Sequence, residues 1–186
     1  MDINELRNKI SEKKESAQTT TSTQVISQRI IDLLNHRIQR EELSARIYLA
    51  MHVWLEDKAY MNSAKIWRKN YEEELSHAQW ARDYLLSLDI KPKTPPLEQV
   101  PEEYASLGDI IRKSLEHEII ITQECQALAK ACMEEGDFLT YTLAHKYVAE
   151  QREELEKSYN YLNLLEIYGE EKLNLALLDH ELAQFV

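Results

Sequence analysis

The stretch KPKTPPLEQVPEEY, residues 91–104, decides the fold. It contains all four prolines of the 186-residue chain: Pro92, Pro95, Pro96 and Pro101. Proline lacks a backbone N–H and biases the residue before it away from helical geometry, so this stretch is predicted to be extended. On both sides of it the pattern is helical. Upstream, Val25, Ile26, Ile30, Leu33, Leu34, Ile38, Leu43, Ile47, Leu49 and Val53 recur at threes and fours, which predicts a helix from Gln24 to about Asp57. A second helix is expected from about Asn62 to Leu88, after a joint so short that the two must be antiparallel neighbours. Downstream, a third helix runs from Leu107 to about Met133. Gly136 then Asp137 supply a helix stop and a new N-cap. A fourth helix covers about Phe138 to Tyr168. Gly169 ends it, and a short fifth helix follows from about Glu170 to Ala183. The chain is therefore all-α: two helical hairpins joined by one long crossover, with a short helix appended.

Breakers are scarce elsewhere. Three Gly and four Pro make up under 4% of the chain, against roughly 12% in an average soluble protein. That count argues against a strand-rich sandwich, barrel or propeller. The glycines Gly108, Gly136 and Gly169 are too scattered for a phosphate-cradling loop. The net charge of −11, from 33 acidic and 22 basic residues, argues against nucleic acid as a partner. Apolar runs are too short to span a membrane and no signal-peptide pattern opens the chain, so a cytoplasmic location without membrane contact is expected. Cys125 and Cys132 are seven residues apart on one helix, about 10.5 Å along its axis, too far for a disulfide.

The chemistry lies in a ligand pattern. Glu74-Leu75-Ser76-His77 is a Glu-x-x-His element, which places a carboxylate and an imidazole on one helix face. Alone it is a weak signal in so charged a chain. Its partners give it weight. Glu41 stands 33 residues before Glu74, Glu118 stands 44 after it, and Gln151 stands 33 after Glu118, with Glu154 three further on. Equal intervals within the two hairpins put one group from each helix at a similar depth, and the longer middle interval contains the crossover. Bundles with carboxylates from all four helices plus Glu-x-x-His elements hold dinuclear metal sites. Tyr48 falls seven residues after Glu41, about 20° from it around the helix.

Together these residues resemble the bacterial non-haem ferritins, a family of the ferritin-like diiron class. The resemblance spans roughly residues 25–183. It is carried by NHRIQRE (35–41) with Tyr48 on the first helix, by EELSHA (73–78) on the second and by His117-Glu118 on the third. VAEQREE (148–154) carries it on the fourth, and LLDHEL (177–182) near the end, where His180 replaces the family's Arg. The resemblance implies a ferritin-like four-helix bundle with one long crossover and a short fifth C-terminal helix over residues 23–186. It also implies iron storage, with Fe2+ oxidised to Fe3+ at a diiron ferroxidase site by O2 or H2O2. Glu41, Glu74 and His77 would hold the first iron, and Glu74, Glu118 and Glu154 the second. Gln151 would be a neutral neighbour or weak ligand. Glu73, Glu150, Glu153 and Glu154 would match a third-iron site, and Tyr48 an oxidisable tyrosine beside the centre. The expected assembly is a homo-oligomeric cage of 24 subunits, without haem.

Residues 1–22 have no counterpart in that pattern and are expected to form an extension, a short helix followed by a Ser/Thr-rich linker. Two other diiron readings fit less well. A haem-bearing bacterioferritin would have Met where Leu75 stands, and a second Glu-x-x-His where Gln151 and Glu154 stand. A rubrerythrin-like peroxidase would want that second element and a Cys-rich iron domain. A metal-free scaffold bundle, with the acids on a solvated face, is the reading from another class. The remaining histidines, His36, His52, His117, His145 and His180, are expected at the surface or behind the ligands.

Overall fold

The computed structural model describes residues 25–186. The expected N-terminal extension, residues 1–22, lies outside the described residues. Five α-helices follow in order: α1 (Gln28–Asp57), α2 (Met61–Ser87), α3 (Leu107–Glu135), α4 (Phe138–Tyr168) and α5 (Lys172–Glu181). A single 3-10 turn, Leu182–Phe185, closes the chain. No strand occurs among the described residues.

The helix ends follow local chemistry. α1 begins after Ser27, whose side chain accepts from the Ile30 amide at 3.2 Å. This N-cap moves the start four residues past the expected Gln24, because a hydroxyl that satisfies a free amide sets the boundary more firmly than apolar spacing. At the other hairpin Gly136 takes the left-handed conformation (φ 67°) and Asp137 caps α4 by accepting from the Thr140 amide. A left-handed residue here returns the orphan carbonyls of α3 to hydrogen bonds, and Gly adopts it without a Cβ penalty. α5 is shorter than expected, starting at Lys172 and tightening into the 3-10 turn after Glu181.

α1 packs mainly on α2, and α3 on α4. The extended crossover runs beside α1 in the same direction. Near its start the Lys93 amide donates to Asn35 Oδ1 at 2.7 Å, and Pro96 O accepts from Gln39 Nε2 at 2.9 Å. Near its end Tyr104 meets Trp54 edge-on. It therefore carries the chain from one end of the bundle to the other, and α3 starts beside the start of α2. The helices run up, down, down, up.

The buried apolar side chains form two clusters, one toward each end. One gathers Trp54, Leu55, Trp67, Ile110, Leu165 and Leu178; the other gathers Ile30, Leu34, Ile38, Leu85, Ile121 and Tyr147. Between them lies a buried polar layer containing Glu41, Glu74, His77, Glu118, Gln151 and Glu154. Burying Trp67 needs a partner for its indole N–H, and Ser114 Oγ accepts it at 2.8 Å across from α3.

α2 has no cap of its own, since Tyr60 offers no side-chain bond. Asp179 of α5 supplies it from 116 residues away: its Oδ1 accepts from both the Ser63 amide (2.8 Å) and Ser63 Oγ (2.6 Å). Asp179→Ala should lower the stability by about 1–2 kcal/mol, the usual effect of losing an N-cap. Urea unfolding checks this; an unchanged midpoint would mean that Asp179 does not cap α2.

Candidate metal centre

Each helix contributes to the polar layer through its buried stripe. On α4 the buried positions are Thr140, Ala144, Tyr147, Gln151, Glu154, Ser158, Tyr161 and Leu165, at threes and fours, so Gln151 and Glu154 face inward on a helix whose ends are apolar. The same periodicity turns Glu41 inward on α1, Glu74 and His77 on α2, and Glu118 on α3.

Glu41, Glu74 and His77 each offer a ligand atom, and these atoms all lie within 4.8 Å of one another. All three side chains are buried. His77 Nδ1 stands 3.3 Å from Glu74 Oε2. Glu118 is reached by Tyr48, whose hydroxyl donates to its Oε1. Two buried carboxylate oxygens, Glu41 Oε2 and Glu118 Oε2, have no hydrogen-bond partner. Buried polar atoms are rarely left so, and the deficit here is of positive charge or protons. A set of hard oxygen donors with one imidazole fits iron in either oxidation state.

The remaining expected residues divide. Gln151 is buried in the layer, and its Oε1 accepts from Thr122 Oγ1 at 3.0 Å. Glu154 is buried, with Oε1 accepting from Lys157 Nζ at 2.8 Å. Glu150 is partly buried and its Oε1 lies 3.8 Å from His77 Nε2. Glu73 lies 3.6 Å from Lys157 Nζ. Glu153 is exposed beside Arg152, 3.8 Å away. Glu73, Glu150, Glu153 and Glu154 thus do not gather into one ion-sized group.

Arg37 and the rings around His77 were not singled out from the sequence, whereas His117 was expected at the surface or behind the ligands. Arg37 is buried, 2.7 Å from Glu41 Oε1 through Nε. The contact is an ion pair without hydrogen-bond alignment, since neither Nε nor Nη2 finds an acceptor in line. Arg37 and Arg40 also meet Glu124, at 3.4 and 3.0 Å. The (i, i+4) spacing of Arg37 and Glu41 was the available signal. His117 is partly buried, 2.7 Å from Ser44 Oγ and edge-on to Tyr48. Burial, reinforced by the charges of Arg40 and Arg37, pulls its pKa down to about 4, so it is neutral. The His77 ring lies tilted against Trp80, which in turn lies beside Tyr147.

Burial is the largest influence on the acids. It lifts Glu41 well above the ordinary carboxylate range; Arg37 opposes the shift and Glu74 adds to it. Glu74 is raised by burial and by the nearby Glu118 and Glu154 charges. Glu118 is raised by burial, with Tyr48 opposing and Glu154 adding. Two cations, Arg37 and Lys157, offset part of this charge, and raised proton affinity covers part of the rest.

Residues 31–167 match the family model for the ferritin-like domain. Among similar proteins, the bacterial non-heme ferritin of Escherichia coli O6:H1 is 30% identical over 154 residues, which are 83% of this chain and 93% of that protein. The bacterial non-heme ferritin of Campylobacter jejuni is 27% identical over 155 residues, again 83% and 93%. Among solved structures, an open pore ferritin from Archaeoglobus fulgidus superposes with a TM-score of 0.81 at 32% identity, over 85% of this chain and 97% of that one.

The raised carboxyls set a pH dependence. The unfolded chain releases these protons in the ordinary carboxylate range, while the folded chain keeps them to higher pH. The folded state therefore binds more protons above that range, and stability falls as pH rises. The metal-free protein should melt at a lower temperature at pH 8 than at pH 6. Glu74→Gln, which cannot ionise, should shrink that difference, and Zn2+ should restore the melting temperature at pH 8. Parallel pH profiles for the two proteins would contradict the assignment.

Proposed function

The chain belongs to the ferritin-like family, and from that premise we propose that it is an iron-storage ferritin that oxidises Fe2+ at a dinuclear centre within each subunit. The observation that carries this reading is the buried group of Glu41, Glu74 and His77 beside Glu118, with the unpartnered oxygens Glu41 Oε2 and Glu118 Oε2. The relatives named non-heme ferritin support it.

In this reading iron is substrate and cargo. Glu41, Glu74 and His77 receive one ferrous ion; Glu74, Glu118 and Glu154 receive the second, with Glu74 shared. The arriving cations take the place of protons on the raised carboxyls, so those protons leave as iron enters. The two ions supply one electron each. Two electrons reduce O2 to H2O2 with two protons, or H2O2 to two waters with two protons. Tyr48, donating to Glu118, fixes that carboxylate. Gln151, already bonded to Thr122, adds polarity without charge. A nearly all-oxygen set binds Fe3+ without the permanence of a thiolate or haem site, which lets the product move on to a ferric mineral.

Storage requires an enclosed volume, and we infer a cage of 24 subunits in the cytoplasm. No described helix is long and apolar enough to cross a membrane. Exposed apolar residues on the outer face of α1, Leu49 and Val53, are suited to subunit contact.

Aerobic addition of Fe2+ should produce the near-ultraviolet absorbance of ferric–oxygen species faster than the same iron in buffer. Glu74→Ala/His77→Ala should fall to the rate of iron in buffer. Equal rates for the double variant and the parent chain would remove the dinuclear oxidation site.

A further inference from the structure

Lys157 stands three residues after Glu154 on α4. Its ammonium is 2.8 Å from Glu154 Oε1 and 3.6 Å from Glu73 Oε2 on α2. The side chain is only 37% exposed. It shares a small cleft with Ile66, Tyr161 and Phe185. Its cation is thus held between acids of two different helices, in a partly buried cleft that Lys69 and Asn70 also line.

We propose that Lys157 is a tethered cation that holds the position between Glu73 and Glu154 against an additional metal ion, limiting each subunit to the two ions of the dinuclear centre. The proposal rests on the ferritin reading for those two ions and concerns a position that adds Glu73 to an acid, Glu154, shared with the dinuclear centre. The other acids near this corner do not provide an alternative cradle. Glu150 faces His77, and Glu153 is exposed beside Arg152. Glu73 and Glu154 share the Lys157 ammonium, and a metal ion bridging the two would have to displace it.

Such an ion meets two obstacles. It must compete with a cation built into the chain, whose effective concentration is high because the stem is short. If the ammonium stays, the ion faces like charge a few ångströms away in a partly buried setting. Lys157 also engages one oxygen of Glu154, leaving the second oxygen as the one this residue can offer to the dinuclear centre. The stem is flexible and an ammonium is readily hydrated, so the block is electrostatic and not a rigid plug. Replacing the charge while keeping the length should therefore open the position.

The test is calorimetric titration of the metal-free, full-length protein with Zn2+, which has no redox chemistry to confuse the count. Lys157→Met and Lys157→Gln should each bind one more ion per chain than the parent. Lys157→Arg, which keeps the charge, should match the parent. Adding Glu73→Gln to Lys157→Met should remove the gained ion. The same count in Lys157→Met, Lys157→Gln and the parent overturns the proposal, as does a gained ion that survives Glu73→Gln. A Glu74→Ala/His77→Ala control separates the two readings. If it binds as many ions as the parent, the dinuclear reading fails, whereas the gain or absence of the Lys157-dependent ion still decides this proposal.

Discussion

The structure depends on the burial of carboxylates. Glu41, Glu74, Glu118 and Glu154 are all removed from water in the middle of the bundle. An isolated ionised carboxylate in such a place is among the costliest things a protein can hold, and the cost must be met by cations, protons or hydrogen bonds. Each of these appears. Arg37 and Lys157 bring fixed positive charge to Glu41 and Glu154, and Tyr48 donates to Glu118. Raised proton affinity covers part of the remainder. Two oxygens still lack partners. Apolar side chains of similar volume would fill such a layer without that cost.

The rest of the bundle makes that concentration of charge tolerable. Apolar clusters above and below the polar layer carry the packing, so the layer need not stabilise the fold itself. The buried acids and His77 stand on helices of 27 to 31 residues without a proline or glycine at or near any of them. Side chains on rigid elements keep their spacing when charge is added or removed. The crossover contributes indirectly. By returning the chain to the far end of the bundle it makes α2 and α3 parallel, and that arrangement brings Glu74 and Glu118 to one level.

Much of this was legible in the sequence, for identifiable reasons. Proline confined to residues 91–104 and the Gly136–Asp137 pair are local signals with local causes, and both joints fall where they indicate. The 33, 44 and 33 intervals translate into one layer because antiparallel helices of equal rise map equal spacing to equal depth. Other features depend on contacts that spacing does not specify. Asp179 caps α2 from across the molecule, and nothing near Tyr60 reveals it. Arg37 and Lys157 form (i, i+4) and (i, i+3) pairs with acids. Such pairs usually decorate a solvated face; the burial of Arg37, and the second acid Glu73 beside the partly exposed Lys157, set these two apart. Glu153 and Glu154 show the limit from the other side: neighbours in sequence point about 100° apart on a helix, so one is exposed and the other buried.

The central claim is that the buried acids of the four helices exist to receive a pair of iron ions. Anomalous diffraction at the iron edge from crystals soaked in Fe2+ tests it most directly. The account predicts two peaks inside the bundle, one within bonding distance of Glu41, Glu74 and His77 and one within bonding distance of Glu74, Glu118 and Glu154. Iron peaks confined to the outer surface, with none between the helices, would contradict it.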